Sequence, residues 1–423
     1  MAQPEFALLM APSPGILDNW LPVICKIRET HPNAKISVII PHQGFADNLE
    51  PGSVLLHLAD KMINQVIWLE IAGIWNREDT MMSTIAARAF AQSKPSWKRE
   101  LRKLYSKLHL LRKPNLNKFV GKDSTLCYCI SSETQSWSQK VWTSCSFPKA
   151  FSINHGIDVA YGGKDPSKRE DFSPRPSSIQ PTVFMFSQLE NKNYSASYTI
   201  SEENQVVVGI PRHEAEWVDL IQQEEKANLD KLPVKFVGLI SRPQNDLFLP
   251  LDRKIKGLEA LKLVAAELGL PIVIKRHPKE TRTTSVYDDV FGPENLGKTW
   301  FETSVHWLAL GPQCAFTMSF VSGVVADMAI LGVPTVEWLD LTGLPSFDHP
   351  DGLKLPDGTP VHTLRYLGVV PGATTLESLR DFAQNAIADR EGTAVGAKAK
   401  YYEVFGSPQG SIQRVIDKMN IQN

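Results

Sequence analysis

The sequence predicts an α/β protein made of two doubly wound domains that face each other. Short apolar runs alternate with helical patterns in two successive series, which begin at FALLM (6–10) and at VKFVGLI (234–240). A length of 423 residues exceeds what one hydrophobic core usually supports. We therefore expect a first domain over 1–230, a second domain over 231–400, and final helices over 401–423.

The first series has the pattern of a parallel sheet covered by helices. After FALLM, the apolar residues Leu17, Leu21, Ile24 and Ile27 recur at helical spacing and lead to the strand ISVII (36–40). This is one βαβ unit. Further candidate buried strands are VIWL (66–69), LCYCI (126–130), VFMF (183–186) and VVVG (206–209).

The second series follows a charged, helix-forming stretch at 214–231. Its clearest unit is a helix with Leu258, Leu261, Val264, Ala265 and Leu268 on one side, followed by Gly269 as a stop signal and by the strand IVIK (272–275). A second helix stops at Gly332 and leads into the strand PTVEW (334–338). Because open parallel sheets bind ligands beyond the carboxyl ends of their strands, we expect chemistry in the loops that follow strands.

Composition and charge exclude several classes of protein. Hydrophobic residues make up 43% and charged residues 22%, which excludes a disordered chain. The net charge of −1 offers no global field for nucleic acid, and no apolar run is long enough to span a membrane. Five scattered cysteines favour a reducing cytoplasm. No metal-ligand pattern stands out, and we expect neither a metal nor a cofactor.

The segment 94–118 combines nine basic residues with one acidic residue. An apolar stripe of Trp97, Leu101, Leu104, Leu108 and Leu111 runs along it, which is typical of a helix lying on an anionic membrane. A packed helix with a solvated basic face is the structural alternative, and an acidic acceptor glycan could use the same patch. The predicted location is therefore the cytoplasm, with peripheral contact to the inner face of the plasma membrane as an option.

Three cationic or proton-donating residues follow the strand IVIK directly. Lys275, Arg276 and His277 emerge where a parallel sheet presents ligands, and together they suit a phosphate group. Pro278 holds the His277 backbone in an extended conformation at the strand exit. The alternative is that both cations are solvated and that His277 only caps the loop.

A helix start with small polar residues follows the strand CAFTM (314–318). Ser319, Ser322 and Gly323 bring hydroxyl groups and backbone N–H groups to this position, which favours an anion. Serine is also an ordinary helix cap. Asp327 lies about one turn into the helix, where it could accept hydrogen bonds from a ribose, or it could be a surface residue of the first turn.

Two further residues are candidates for catalysis. His155 precedes Gly156 at the end of the strand FSIN, and its near-neutral pKa suits a general base or a substrate contact, although a lone histidine is often structural. Asp246 lies in the loop after VKFVGLI, where a carboxylate could serve as nucleophile or base. Asn245-Asp246 is also an ordinary turn pair.

The order of these motifs resembles GT-B transferases that use cytidine nucleotides to build bacterial surface polysaccharides. The resemblance is carried by His155-Gly156, by GIPR (209–212), by the KRHP strand end and by SGVVADMAILGVP (322–334). It implies two facing Rossmann-like domains, of which the first (1–230) binds the acceptor and the second (231–400) binds the nucleotide sugar. It also implies that the C-terminal helices (401–423) cross back to the first domain. Two branches compete: the retaining β-Kdo transferases of capsule and lipopolysaccharide, which use CMP-Kdo, and the glycerophosphotransferases of teichoic-acid-type polymers, which use CDP-glycerol.

Each branch implies a different role for the candidate residues. The Kdo branch makes Asp246 the nucleophile, because PQND resembles the loop that supplies that aspartate. It assigns Asp327 to the contact with the ribose, although the family's residue at this position is usually Glu. It assigns the KRHP cations and the helix start at Ser322 to the nucleotide phosphate. The glycerophosphotransferase branch makes His155 the base that activates an acceptor hydroxyl. A GT-B-fold sugar-nucleotide epimerase and a non-catalytic glycan-binding protein remain alternatives. The implied partners are a nucleotide-sugar donor and a glycan or lipid-linked glycan acceptor.

Overall fold

The structure is a computed structural model, and it describes most of the chain. The described residues are 3–10, 13, 15–41, 53–70, 73–78, 119–131, 141–142, 147–154, 156, 179–190, 200–280, 286–345, 347 and 352–421. The chain divides into two compact units. The first comprises Met1–Asp158, Pro166–Glu214 and Pro408–Asn423, and the second includes Ala215–Ser407.

The described strands form one sheet in each unit. Those of the first unit are β1 (Glu5–Leu9), β2 (Lys35–Ile40), β3 (Gln65–Glu70), β4 (Gly73–Glu78), β5 (Thr125–Tyr128), β6 (Lys149–Ile153), β7 (Thr182–Met185) and β8 (Gln205–Val207). Those of the second unit are β9 (Phe236–Ile240), β10 (Ile272–Lys275), β11 (Trp300–Glu302), β12 (Cys314–Ser319), β13 (Thr335–Trp338) and β14 (Gly372–Ala373).

The described α-helices connect or flank these strands. They are α1 (Gly15–Thr30), α2 (Val54–Met62), α3 (Ala215–Leu229), α4 (Leu251–Glu267), α5 (Val286–Phe291), α6 (Trp307–Leu310), α7 (Val324–Leu331), α8 (Thr363–Tyr366), α9 (Leu376–Ala388), α10 (Arg390–Phe405) and α11 (Ser411–Met419). Among the described residues, none of the helices combines the length and the apolar character that a membrane crossing requires.

The first sheet has the strand order β4-β3-β2-β1-β5-β6-β7-β8. Its strands are parallel, as predicted, except that β4 runs antiparallel to β3. The sequence pattern did not predict β4, which is the antiparallel exception at the edge of this sheet. Only two residues separate Glu70 from Gly73, and a connection of that length allows a hairpin but not a crossover to a parallel strand.

The second sheet is parallel throughout, with the order β11-β10-β9-β12-β13-β14. Its apolar helix stripe is confirmed, since α4 buries Leu258, Leu261 and Val264 in the core of this unit. Gly269 follows α4 with a φ of +64°, in the left-handed region that glycine adopts without strain. Both sheets therefore have the doubly wound, Rossmann-like architecture that the alternating pattern predicts.

The limits of the two units differ from the predicted limits at both ends of the second one. The second unit begins at Ala215 rather than at 231, because α3 packs against α6 of the same unit. The chain returns to the first unit at Pro408 rather than at 401, because α10 continues to Phe405 and packs against α7 and α9.

The final helix, α11, belongs to the first unit and packs against α1. The Ser411 hydroxyl donates to Glu214 Oε1 at 3.1 Å, and the backbone N–H of Ile412 donates to the same oxygen. Arg414 donates from Nε and Nη2 to the backbone oxygen of Val208, at 3.0 and 2.7 Å. The carboxylate of Glu214 at the start of α11, and the bonds from Arg414 of α11 to the backbone after β8, thus attach this helix to the first unit.

Candidate functional site

The strand order of the second sheet identifies where a ligand is expected in this unit. The order reverses between β9 and β12, which are neighbours in the sheet although they are separated in sequence. Ile240 and Ser319, the last residues of these strands, are paired in register. In doubly wound sheets, ligands bind in the crevice beyond the carboxyl ends of strands at such a switch point. The loops that follow β9 and β12 are therefore the first place to look for binding groups.

Arg242 lies in the loop after β9, at this switch point. Its Nη1 donates a hydrogen bond to the backbone oxygen of Val321 at 3.1 Å, and its guanidinium carbon lies 5.1 Å from the centre of the Phe248 ring. Within the described part of the chain, no carboxylate lies within ion-pair distance of this guanidinium. Burial lowers the pKa of Arg242 below its ordinary value. Arg242 is thus a half-buried positive charge with donors left for an anion.

His277 lies after the neighbouring strand β10. Its backbone N–H donates to Glu280 Oε2 at 2.9 Å, and its Nδ1 accepts from the backbone N–H of Lys279 at 3.1 Å. Because Nδ1 accepts, the proton of the neutral ring is on Nε2. Burial, followed by the positive charge of Arg242, lowers the pKa of His277 to about 4. At neutral pH this imidazole is therefore uncharged and presents an N–H donor.

Lys275 and Arg276 both hold partners within the second unit. The Lys275 ammonium donates to the backbone oxygens of Ser304 and Val305, at 2.9 and 2.8 Å. Arg276 Nε donates to Glu302 Oε1 at 2.8 Å, and its guanidinium carbon lies 4.8 Å from the centre of the Tyr287 ring. The phosphate contact predicted for these two cations stays a prediction, whereas their observed contacts connect the end of β10 to β11 and the loop after it.

Glu280 is the centre of a buried hydrogen-bond network that includes the backbone N–H of His277. Its carboxylate accepts from Lys254 Nζ at 2.6 Å, from the Ser241 hydroxyl at 2.5 Å and from the Tyr287 hydroxyl at 2.8 Å. The side chains of Lys254 and Glu280 are 4% and 7% exposed. Burial disfavours the charged carboxylate, but the Lys254 ammonium and these hydrogen bonds outweigh it and leave the pKa of Glu280 below its ordinary value.

This network positions the two strand ends that carry Arg242 and His277. Glu280 accepts the backbone N–H of His277, while Lys254 Nζ donates at 2.7 Å to the backbone oxygen of Arg242. One buried ion pair therefore connects the loop after β9 to the loop after β10. A buried pair of this kind fixes geometry, because each partner left alone would be an uncompensated charge.

The helix start after β12 contains both half-buried and fully buried residues. The Ser322 hydroxyl accepts from the backbone N–H of Val324 at 3.2 Å, and Gly323 is the cap residue of α7. Both residues are half-buried, at the same loop that supplies the carbonyl bonded to Arg242. Ser319 and Asp327 are 0% and 2% exposed. Their predicted contacts with a nucleotide stay predictions that require access to buried side chains.

Ser319 is the register partner of another buried polar residue, Glu337 of β13. Among the described residues, Ser319 Oγ and Glu337 Oε1 have no hydrogen-bond partner. Burial raises the pKa of Glu337 to about 8, and the positive charge of Arg365 opposes this shift. Glu337 is therefore mostly protonated at neutral pH in the folded chain.

Substituting Glu337→Gln is expected to change how stability depends on pH. Between the ordinary pKa of about 4.5 and the folded value of about 8, the folded state keeps a proton that the unfolded state releases. The contribution of Glu337 to the unfolding free energy of the parent protein therefore falls by about 1.4 kcal/mol for each pH unit of increase in this range. Urea unfolding at pH 5, 6, 7 and 8 should show the variant gaining on the parent with rising pH. A difference that stays constant with pH would contradict the buried proton.

Of the two predicted catalytic residues, Asp246 lies within the described residues and His155 does not. Asp246 is exposed at a tight turn in which the backbone N–H of Leu247 donates to Asn245 Oδ1 at 2.8 Å. His155 lies outside the described residues, as does the basic segment 94–118. The neighbour of His155 is described: the backbone oxygen of Asn154 accepts from Asn19 Nδ2 at 2.7 Å. The roles of Asp246, His155 and the basic segment stay predictions.

Arg242 and His362 were both missed by the reasoning from sequence. Arg242 could have been found, because it follows an apolar strand just as the KRHP residues do. His362 lies long after β13, at the start of α8, and no local pattern singles it out. Burial, followed by the positive charge of Arg242, lowers the pKa of His362 to about 4.

In the described part of the chain, no group of three or more His, Cys, Asp or Glu side chains is arranged to hold a metal ion. The expectation of a reaction without metal stays a prediction.

Comparison with known proteins establishes the fold. No protein-family model and no curated protein sequence matches the chain. The structure of UDP-GlcNAc 2-epimerase from Neisseria meningitidis, bound to UDP-GlcNAc, matches with a TM-score of 0.55. The UDP-GlcNAc 2-epimerase of Methanocaldococcus jannaschii, in complex with UDP-GlcNAc and UDP, matches with a TM-score of 0.54. Each is 12% identical to this chain, and each match covers 100% of both chains. The wall teichoic acid polymerase TagF matches with a TM-score of 0.53, at 13% identity over 100% of this chain and 91% of that one. The chain therefore has the GT-B fold, with two Rossmann-like units.

Proposed function

We propose that this chain is a nucleotide-sugar-dependent glycosyltransferase of bacterial surface polysaccharide synthesis, and that its second unit binds the nucleotide phosphate around Arg242. The observation that carries the proposal is the charge of Arg242, which has no carboxylate partner among the described residues and lies at the switch point of a Rossmann-like sheet. Two other cations of this region are paired, Lys254 with Glu280 and Arg276 with Glu302. A half-buried guanidinium without a carboxylate is stabilised when an anion binds it.

The groups around Arg242 suit a phosphate rather than a carboxylate or a sugar hydroxyl alone. His277 offers its Nε2–H from the neighbouring strand end, and the start of α7 follows the loop to which Arg242 is bonded. Guanidinium, imidazole and helix-start groups are the donors that proteins use for phosphate. The protein can thus balance the charge of a leaving nucleotide with its own groups, and we propose that transfer needs no divalent cation.

We propose a cytidine nucleotide as the donor, with CMP-Kdo as the first candidate. The support is the order of motifs in the sequence together with the fold. In this reaction the Asp246 carboxylate forms a bond to the anomeric carbon while the bond to the CMP oxygen breaks and CMP leaves with the electron pair. An acceptor hydroxyl then displaces Asp246 and loses its proton to solvent or a base, so the stereochemistry of the sugar is retained.

Two other functions are favoured by specific observations. CDP-glycerol-type transfer, with His155 as the base, is favoured by the likeness to TagF, which has also been described with CDPG. Epimerisation of a sugar nucleotide is favoured by the likeness to two UDP-GlcNAc 2-epimerases. An epimerase converts the sugar nucleotide without an acceptor, whereas a transferase releases nucleotide only as it transfers.

A thermal-shift screen of CMP, CDP, UDP, GDP and ADP tests the proposed nucleotide. A ligand that binds only the folded state raises the melting temperature, so the preferred nucleotide is expected to give the largest shift. Selective stabilisation by CMP supports Kdo transfer and selective stabilisation by CDP supports the glycerophosphotransferase. A preference for UDP, with turnover of UDP-GlcNAc alone, would indicate an epimerase. If no nucleotide raises the melting temperature, the proposed function is wrong.

The substitution Asp246→Asn is expected to reduce transfer from CMP-Kdo by about a thousandfold or more, because the amide is not a nucleophile. Binding of CMP should be unchanged, since Asp246 is placed on the sugar and not on the phosphate. The matched control is Asp230→Asn, an exposed aspartate at the end of α3. Full transfer activity in the Asp246 variant would exclude the aspartyl intermediate and direct attention to His155.

A further inference from the structure

A cavity of about 200 Å³ lies at the carboxyl ends of β13 and β14, beside the start of α4. The polar side chains in its lining are those of Asp252, Arg253, Lys256, Trp338, Asp340 and Thr374. Asp252 and Lys256 are exposed, so the cavity is open to solvent. Pockets for drug-sized molecules have volumes of roughly 300–1,000 Å³, and this smaller cavity suits a single ring.

The position of the cavity separates it from the proposed phosphate site. In the sheet order, β13 is two strands away from β9, the strand that precedes Arg242, which corresponds to about 10 Å. Lys254 bonds to the backbone of Arg242 and to Glu280, whereas Arg253 and Lys256 line the cavity from another side of the same helix. The groups in the cavity are therefore not used by the phosphate site.

Trp338, the last residue of β13, has an indole N–H without a hydrogen-bond partner among the described residues. The residue is only 4% exposed. Gly257 of α4 allows the ring to approach this helix closely, because a Cβ on this residue would lie 2.6 Å from Cδ1 of the ring and 2.8 Å from Nε1. Since a buried indole N–H usually has a partner, the cavity lacks an acceptor that a ligand can supply.

The charges in the lining balance each other. Burial alone would raise the pKa of Asp340, but hydrogen bonds from Thr342 and the positive charges of Arg253 and Lys256 hold it below its ordinary value. Two carboxylates, of Asp252 and Asp340, and two cations therefore line the same cavity. An anionic ligand would be repelled by the carboxylates and a cationic ligand by the cations. An uncharged ligand with several hydroxyl groups can accept from the indole and donate to a carboxylate.

We propose that this cavity binds one uncharged sugar ring, a residue of the glycan that the proposed transfer extends. One sugar hydroxyl accepts from Trp338 Nε1, and others exchange hydrogen bonds with the Thr374 hydroxyl and the Asp340 carboxylate. The assignment to a glycan rests on the proposed function, whereas the uncharged character of the ring follows from the lining. The cavity thereby selects the glycan through a residue that takes no part in the transfer.

Saturation-transfer NMR of the full chain tests the proposal. The uncharged probes are the methyl glycosides of glucose, galactose and N-acetylglucosamine, and the acidic sugar Kdo is the comparison. We expect at least one glycoside to bind, and Kdo to bind more weakly, because its carboxylate meets those of Asp252 and Asp340.

Three substitutions in the lining sharpen the test. Thr374→Val replaces a hydroxyl by a methyl group and should weaken glycoside binding about 5- to 10-fold, as expected for the loss of one hydrogen bond. Trp338→Phe removes the indole N–H and should weaken binding at least as much. Asp340→Asn makes the lining net positive and should narrow the difference between Kdo and the glycoside.

The matched control is Asp357→Asn, which should change nothing. Asp357 accepts a backbone N–H two residues further on, just as Asp340 does, but it is not part of the lining. CMP affinity should be the same in all four variants, because CMP binds at Arg242 in the proposed function. This also shows that each variant is folded.

The inference is overturned if none of the three glycosides binds, or if Thr374→Val and Trp338→Phe both leave glycoside binding unchanged. In either case, binding of CMP keeps the proposed function intact. Displacement of the glycoside by UDP-GlcNAc but not by UDP would place the sugar of a donor here and overturn the assignment to a glycan. Glycoside binding by a chain that binds no nucleotide would support this cavity and contradict the proposed function.

Discussion

Replacing Arg242 by glutamine is expected to weaken nucleotide binding by about 10- to 100-fold. Hydrogen bonds to a charged group contribute about 1.5–3 kcal/mol, and a tenfold change in affinity corresponds to about 1.4 kcal/mol. Because Arg242 has no carboxylate partner among the described residues, its removal leaves no protein anion uncompensated. The variant should therefore remain folded, and calorimetric titration with CMP measures the loss.

The matched control for this experiment is Arg380→Gln. Arg380 is an exposed arginine of α9 that pairs with Glu267 at 2.7 Å, and the pair lies on the surface of the same unit. Its replacement should leave CMP affinity unchanged. Equal affinities in the Arg242 variant and the parent would mean that the charge at the switch point does not bind the nucleotide.

The largest expected effect on stability comes from Glu280→Gln. The substitution keeps the shape of the side chain but leaves the buried ammonium of Lys254 without its counter-charge at 2.6 Å. Breaking a buried ion pair by removing one partner typically costs about 3–5 kcal/mol. Urea unfolding measures this loss, and CMP binding should weaken as well, because Glu280 holds the backbone of His277.

A double variant separates the lost charge from lost shape. Combining Glu280→Gln with Lys254→Met removes both charges, and most of the lost unfolding free energy should return, since neutral replacements of buried pairs are often tolerated. The surface control is Glu267→Gln, whose carboxylate is exposed and should matter little. If the single Glu280 variant is as stable as the parent, the ion pair does not organise this site.

The alternation of apolar runs and helical stripes predicted the doubly wound sheets, because a parallel strand that is buried on both faces requires a nearly continuous run of apolar residues. FALLM, ISVII and IVIK all became strands for this reason. The pattern could not predict β4, whose residues GIWNRE are not an apolar run and whose direction follows from a two-residue connection. Local hydrophobicity thus identifies central strands better than edge strands.

The candidate site was predicted less completely, because its residues come from three separate loops. His277 is signalled by its position after a strand, and the same rule applied to VKFVGLI would have selected Arg242. The partners of Lys275 and Arg276 depend on β11 lying beside β10, which the local sequence does not specify. His362 lies at the start of α8, far along the chain from β13, and no local sequence pattern singles it out.

The most direct test of the central claim is a crystal structure of the chain with CMP bound. The account predicts a phosphate within hydrogen-bond distance of the Arg242 guanidinium and of His277 Nε2, beyond the carboxyl ends of β9 and β10. A phosphate bound elsewhere, with Arg242 bonded to Val321 alone, would contradict it.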